Sequence, residues 1–194
     1  MLFRSPLTIP AAQTGAFVSS DPRVARPDLQ YHCLPVTGDL AAAAASGKGE
    51  LSEHPGVTIA PCVLRPKSRG YVHLTVANAA EPPTIVHNYL VDPVDRAVTL
   101  AGMRYARRLI ETPALAPLID AEADPGSDAQ SDEALLAFAR AFGSTGYHPA
   151  GTCRMGRDAS AVVDPQLRVK GVAGLRVADA SVMPQLISGN THAA

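Results

Sequence analysis

Several features that define whole classes of protein are missing from this sequence. Its 194 residues include only three cysteines, at positions 33, 62 and 153, and no C-x-x-C pair. That sparse, odd set argues against a disulfide framework and suits a reducing compartment. The formal net charge is −1, so no strong field favours nucleic acid or an anionic membrane. We find no stretch approaching the ~20 apolar residues of a membrane-spanning helix, and no secretory signal in residues 1–10. We therefore expect a cytoplasmic protein with no nucleic-acid partner and no membrane span.

Proline and glycine, in contrast, are plentiful, with 17 and 15 residues. They predict many loops, which is where scaffolds often place their chemistry. Residues 1–30 show no sustained period and are expected to be loop or extended chain. Residues 41–50 are rich in alanine and glycine and are expected to form a mobile surface loop.

The strand pattern is clearest in the middle of the chain. Strands are predicted at residues 30–36, 57–64 and 71–77, with a short further strand at 85–87. Residues 57–64 are apolar enough to be buried, whereas residues 71–77 alternate between two faces and predict a half-buried strand. The turn residues between them predict that these two strands pair as an antiparallel hairpin.

Two helices are predicted from their end signals. Asp92 and Pro93 suit the first helix as cap and first residue, and Pro113 ends it. Its inward face is predicted to comprise Val94, Val98, Ala101, Tyr105 and Leu109. An exposed acidic linker is expected at residues 120–132. Ser131 then caps the second helix, Gly143 ends it, and the predicted buried stripe is Leu135, Phe138, Ala139 and Phe142.

The C-terminal quarter has a different texture, with a histidine held between Tyr147 and Pro149. Pro149 biases His148 toward extended backbone, and an imidazole is well suited to take a proton near neutral pH. From the residues alone His148 is either catalytic or a structural loop histidine. Residues 175–178 predict a short buried strand ending at Asp179, which either meets a ligand or caps the strand end.

Three motifs in this region together resemble a known family. They are "YHPAGTCRMG", "VVDPQLRVKGVAGLRVADASVMP" and "SGNTHA", and they resemble the C-terminal motifs of glucose–methanol–choline (GMC) oxidoreductases in order, spacing and residue type over about fifty residues. Upstream, "LRPKSRGYVHL" and "DPVDRAVTLAGMRYARRLIET" are similar to the family's substrate domain. The likeness begins near residue 25 and is nearest to the choline-dehydrogenase-like alcohol dehydrogenases.

The resemblance implies an α+β fold in three parts. Residues 1–30 are an irregular N-terminal segment, and residues 31–143 are the substrate-binding domain, an antiparallel sheet covered by helices. Residues 144–194 carry the catalytic histidine and return as a tail that completes an FAD-binding, Rossmann-like domain. The G-x-G-x-x-G fingerprint of such a domain is missing, because Gly47-Lys48-Gly49 lacks the third glycine. We therefore expect a C-terminal part whose N-terminal FAD domain is absent, and weak flavin binding by this chain alone.

The resemblance also implies roles for individual residues. His148 is the base that accepts the hydroxyl proton of an alcohol, and Asn190 holds the substrate oxygen. The predicted FAD contacts are Asp179 and Ala180 at the sugar–phosphate portion, and Asn190, Thr191 and His192 beside the pyrimidine edge of the flavin. His192 stands where family members commonly have asparagine. The resemblance names neither the alcohol nor the electron acceptor.

Three functional hypotheses follow. The first is the FAD-dependent oxidation of an alcohol CH–OH group to an aldehyde or ketone. The second is a non-catalytic remnant or split-gene module that needs a separate flavin-binding chain. A metal-hydrolase site using His148, Cys153 and His192 is disfavoured because that spacing matches no common ligand set, so no metal is expected.

Overall fold

A computed structural model of the chain describes residues 12, 14–38 and 51–193. The expected loop at residues 41–50, and with it the incomplete glycine fingerprint, lies outside the described residues, as do residues 1–11. The described residues fall into two compact units. In these ranges no helix is both long and apolar enough to cross a membrane.

The first unit runs to Val63 and resumes with Ala97–Gly143. It contains an antiparallel sheet in the order β1-β2-β3, formed by Thr14–Val18 (β1), Leu29–Leu34 (β2) and Thr58–Val63 (β3). The strands predicted at residues 30–36 and 57–64 are confirmed as β2 and β3, but β3 is only half-buried along its length instead of buried. Strand β1 was expected to be loop or extended chain. Four of its five residues are exposed, so the sequence shows no alternation of buried and exposed side chains there. The strand forms because its backbone pairs with β2.

Helix α1, Pro93–Ile110, covers this sheet from Ala97 onward. Leu29, Tyr31 and Val98 form the buried core of the unit, with exposures of 1%, 0% and 9%. The Tyr31 hydroxyl donates to the Gly102 carbonyl oxygen at 2.7 Å. Glycine is required there, because a Cβ at position 102 would lie 2.8 Å from the Pro61 side chain. The predicted sheet covered by a helix is confirmed.

The predicted start of α1 is confirmed by its cap. Asp92 Oδ1 accepts a hydrogen bond from the Val94 backbone N–H at 2.8 Å, and Pro93 is the first helical residue. The predicted inward face is wrong at Val94, which is 50% exposed.

Helix α2, Asp132–Phe142, also has the predicted ends. Ser131 Oγ accepts from the Ala134 N–H at 3.1 Å, and the Gly143 N–H donates to the Ala139 carbonyl oxygen at 2.9 Å. Leu135 is fully buried, but the predicted stripe is wrong at Phe142, which is 42% exposed.

The second unit comprises Leu64–Arg96 and the residues from Ser144 onward. Its regular sheet has two antiparallel strands, β4 (Tyr71–His73) and β5 (Thr84–Val86). The short strand predicted at residues 85–87 is confirmed with a shift of one residue. The strand predicted at 71–77 is shorter than expected and is not half-buried, since all three residues of β4 are exposed.

The predicted hairpin between the second and third predicted strands is wrong. Strand β3 pairs with β2, and β4 pairs with β5. The physical reason lies in the connection, because the Lys67 and Ser68 N–H groups donate to the Asp95 carboxylate at 2.7 and 2.8 Å. Asp95 is only 3% exposed, so this segment is tied to the first turn of α1 instead of closing a hairpin.

The buried strand predicted at residues 175–178 is also wrong. An antiparallel bridge joins Arg176 to Arg168, and no extended ladder forms around it. Leu175 is 50% exposed, so this run has no apolar cover within the described residues.

Candidate active site

The backbone before His148 is held in an uncommon conformation. Tyr147 has φ of 61°, in the left-handed region that a bulky side chain rarely adopts. Its N–H donates to Thr145 Oγ1 at 3.0 Å, and Pro149 restricts the backbone on the other side. The Tyr147 side chain is 81% exposed, so burial does not stabilise this conformation. Local turn geometry therefore fixes where His148 leaves the chain.

The His148 imidazole is half-buried and has a partner far along the sequence. Its Nδ1 lies 2.9 Å from Thr191 Oγ1. Within the described ranges Nε2 has no hydrogen-bonding partner, and no buried side-chain nitrogen or oxygen there lacks one. Nε2 is therefore exposed to solvent.

The contact with Thr191 brings the last motif to the histidine. Asn190 immediately precedes Thr191 and is exposed, and His192 follows and is exposed as well. Across the part of the chain that the structure describes, the Asn190 amide makes no hydrogen bond. His148 and Thr191 thus meet directly, while Asn190 and His192 are adjacent to that meeting point along the chain.

Backbone hydrogen bonds join the first motif to the second. The Cys153 N–H donates to the Ser181 carbonyl oxygen, and the Met155 N–H to that of Val182, both at 2.9 Å. Gly151 makes the preceding turn at φ of 91°, a conformation that favours glycine. All three motifs that carry the family resemblance are therefore linked within one unit.

Asp179 caps the short turn to which the first motif is hydrogen-bonded. Its Oδ1 accepts from the Ser181 N–H at 2.8 Å, and the residue precedes a 3₁₀ turn, Ala180–Val182. Hydrogen bonds from Ser181 lower the pKa of the Asp179 carboxyl. The Ala180 N–H, as the first of that turn, has no protein acceptor among the described residues. An ionised carboxylate and a free amide donor are adjacent here, a combination that suits the hydroxyl and phosphate oxygens of a dinucleotide.

Arg154 and Arg168 each form an ion pair with an aspartate four residues away in the sequence. Arg154 makes a bidentate pair with Asp158 at 2.7 and 3.0 Å, and Arg168 Nε lies 2.7 Å from Asp164 Oδ2. The Arg154 guanidinium holds the pKa of the Asp158 carboxyl well below its usual range. No group of three or more His, Cys, Asp or Glu side chains is arranged to hold a metal ion in the described ranges.

Sequence reasoning missed two parts of this arrangement. The left-handed Tyr147 carries no compositional signal, because glycine or asparagine usually marks such a position. The hydroxyl contact of Thr191 joins residues 43 positions apart, and neither local sequence contains a sign of it.

Comparisons with known proteins identify the family of the chain. Residues 66–194 match the family described as GMC oxidoreductase. The chain is 43% identical to an alcohol dehydrogenase [acceptor] of Pseudomonas putida over 96% of its own length and 33% of that protein. It is 40% identical to an oxygen-dependent choline dehydrogenase of Citrobacter koseri, over 93% of this chain and 31% of that protein.

A solved structure shares the fold. The crystal structure of pyridoxine 4-oxidase from Mesorbium loti superposes with a TM-score of 0.79 and 27% identity, over 92% of this chain and 34% of that one. The chain spans about a third of the length of the curated relatives it matches. The resemblance found in the motifs is confirmed, and the chain belongs to the GMC oxidoreductase family.

Proposed function

We propose that this chain is the C-terminal part of an FAD-dependent oxidoreductase that converts the CH–OH group of an alcohol to an aldehyde or ketone. The observation that carries the proposal is the linkage of the three motifs around His148, with its Nδ1 bonded to Thr191 and its Nε2 open. The family generally uses FAD, and the relatives above are named for alcohol and choline oxidation.

His148 is the proposed catalytic base. Bound FAD supplies the acceptor for the carbinol hydride. The open Nε2 takes the proton of the substrate hydroxyl, which gives the oxygen the alkoxide character that makes the carbinol carbon a good hydride donor. A positioned base of this kind contributes a factor of ~10²–10⁴ to the rate.

Asn190 is the proposed second active-site residue. Its amide is exposed and without a hydrogen-bonding partner in the described ranges. The NH₂ group can donate to the substrate oxygen and hold it in place, but an amide is a poor base. This division leaves proton transfer to His148.

The proposed cofactor contacts fit the polar groups of FAD. The ionised Asp179 accepts hydrogen bonds from hydroxyl groups, and the free Ala180 N–H donates to a phosphate oxygen. Asn190, Thr191 and His192 form the proposed contact with the pyrimidine edge of the flavin. The sequence has no complete glycine fingerprint for the pyrophosphate, so we expect other residues to complete the FAD site and this chain alone to bind flavin weakly.

The location proposed for the protein is the cytoplasm. Cys33, Cys62 and Cys153 are all free thiols in the structure, which supports a reducing compartment.

A second candidate is a module without catalysis of its own that binds a separate flavin-binding chain. The exposed Val172 and Leu175, at 52% and 50%, favour association with another polypeptide surface. The two candidates differ in one testable respect: the first requires His148 for turnover and the second does not.

A chimera tests both candidates. The chain is fused to the N-terminal two thirds of the Pseudomonas putida relative, and flavin absorbance and its bleaching by a panel of alcohols are followed without oxygen. We expect His148→Gln to slow flavin reduction by ~10²–10⁴-fold at unchanged flavin content. The matched control is His54→Gln, at an exposed histidine of the first unit, which should leave the rate unchanged. Equal rates for His148→Gln and the parent chimera would eliminate the catalytic proposal.

A further inference from the structure

We infer that Thr191 is the positioning residue for His148: its hydroxyl accepts a hydrogen bond from Nδ1–H and so keeps the open Nε2 free of a proton. The inference rests on the proposed function for the role of Nε2. The hydrogen bond itself is independent of that function and can be measured separately.

In the described residues the Thr191 hydroxyl is the group that determines the orientation of the His148 imidazole. Nδ1 and Oγ1 are 2.9 Å apart in a part-buried setting, a normal distance for this pair of atoms. No carboxylate or backbone carbonyl oxygen of the described residues bonds to either ring nitrogen. Thr191 is itself half-buried and begins the 3₁₀ turn Thr191–Ala193, which limits where its side chain can point.

A neutral imidazole carries one proton, and the partner at one nitrogen decides the state of the other. If Nδ1–H donates to Oγ1, Nε2 holds a lone pair and accepts a proton. If the hydroxyl donated to Nδ1 instead, Nε2 would carry the proton and could not act as a base.

Proton uptake distinguishes these two arrangements. Both nitrogens of the imidazolium are donors, so a hydroxyl that accepts from Nδ1–H keeps the same bond before and after Nε2 is protonated. A hydroxyl that donates to Nδ1 must rotate when the ring is protonated. The accepting arrangement therefore needs no reorganisation during turnover. Because threonine is neutral, it orients the ring without the stabilisation of the imidazolium that a carboxylate would add.

The backbone around His148 makes this side-chain contact decisive. The left-handed Tyr147 and the ring of Pro149 already fix the course of the chain. The remaining freedom of His148 is rotation about its side-chain bonds, and the contact with Thr191 restricts that rotation.

The first test measures the tautomer directly in the chain itself. ¹⁵N-labelled histidine is incorporated, and the ring nitrogens of His148 are assigned among the six histidines by their loss in His148→Gln. We expect the proton on Nδ1 in the wild type and in Thr191→Ser, which keeps the hydroxyl, and an increased Nε2–H population in the nearly isosteric Thr191→Val. The control Thr152→Val, at an exposed threonine, should match the wild type. A wild-type proton on Nε2, or a Thr191→Val spectrum equal to that of the wild type, would overturn the inference.

The second test uses the flavin-loaded chimera and separates the two possible failures. We expect Thr191→Val to lower kcat per bound flavin by about 10–100-fold, the size of effect seen when a partner that orients a metal-bound histidine is removed, with Thr191→Ser restoring most of the loss. Full activity in Thr191→Val, together with its loss in His148→Gln, would reject the role of Thr191 and leave the proposed function intact. Full activity in His148→Gln would reject the proposed function whatever the ¹⁵N spectra show.

Discussion

The two units of the chain bury their apolar side chains to very different degrees. In the first, the sheet and α1 enclose Leu29, Tyr31 and Val98 almost completely. In the second, β4 and β5 expose apolar side chains on the sheet, with Ile85 at 57%. Twelve of the eighteen large apolar side chains that are exposed in the described ranges belong to the second unit. The unit that carries the candidate site is thus the one that leaves an apolar surface to be covered.

Polar contacts replace a large core in the second unit. Asp95 binds two backbone N–H groups of the segment before β4, and backbone hydrogen bonds tie Cys153 and Met155 to the turn at residues 180–182. Such contacts fix positions well but contribute less free energy than a packed core, since a net hydrogen bond is worth about 0.5–1.5 kcal/mol.

The sharpest test of the comparison is a matched pair of leucine truncations. Leu29→Ala in the first unit should reduce the free energy of unfolding by about 2–5 kcal/mol, because it opens a cavity at a residue that is 1% exposed. Leu74→Ala in the second unit removes the same atoms from a side chain that is 78% exposed, and should change stability by less than about 0.5 kcal/mol. Urea unfolding followed by circular dichroism measures both. Similar costs for the two variants would mean that the units do not differ in packing.

Next in size is the removal of the buried carboxylate at the start of α1. Asp95→Asn should cost about 1–3 kcal/mol, because an amide offers one acceptor where Lys67 and Ser68 present two N–H donors. Burial acts to raise the pKa of the Asp95 carboxyl, but the hydrogen bonds from Lys67 and Ser68 lower it on balance. Asp92→Asn is the control three residues earlier, since asparagine caps a helix as well as aspartate does. An equal cost at the two positions would show that Asp95 does not organise this segment.

Local signals predicted the helices of this fold better than its strand partners. The caps Asp92 and Ser131 act over two or three residues, so the sequence on either side suffices to place them. The partner of β3 is β2, which lies more than twenty residues earlier in the chain. The nearer strand β4 does not pair with β3, because the segment between them is bound by the carboxylate of Asp95, which follows both strands in the sequence. Pairing of this kind depends on contacts that no short window of sequence contains.

The candidate site shows the same limit. The three motifs are sufficient to identify the family from the sequence alone. They contained no sign that a hydroxyl at position 191 would meet the imidazole of His148, because that bond depends on how two distant turns are placed. The functional roles of all the candidate site residues stay predictions, and among the described residues Asn190 and His192 make no side-chain hydrogen bond that would support theirs.

A smaller loss of stability is expected on removal of the Tyr31 hydroxyl from the core of the first unit. Tyr31→Phe removes the bond to Gly102 O and should cost about 0.5–1.5 kcal/mol near neutral pH. Burial raises the pKa of Tyr31 to about 12, above the ~10 of an exposed phenol. The folded state therefore holds this proton more tightly than the unfolded state, and the resulting stability is complete below about pH 10 and lost as the pH rises through about 12.

The measurement is the difference in unfolding free energy between wild type and Tyr31→Phe, determined from pH 8 to 12. We expect the wild type to lose its advantage over the variant across the upper part of that range. A difference that does not change with pH would show that the Tyr31 hydroxyl does not titrate with a raised pKa in the folded protein.

The smallest effect on stability belongs to the apolar surface of the second unit. Val172→Ala changes a side chain that is 52% exposed, and should shift the free energy of unfolding by no more than about 0.5 kcal/mol. Val163→Ala, at a fully buried valine of the same unit, should cost about 2 kcal/mol. The double variant Val172→Ala, Leu175→Ala should also reduce the fluorescence of a dye that binds exposed apolar surface, because both side chains lie open. If Val172→Ala costs as much as Val163→Ala, self-association of the chain already covers the surface around residues 172–175 in solution, and the contrast in exposed apolar surface between the two units does not hold there.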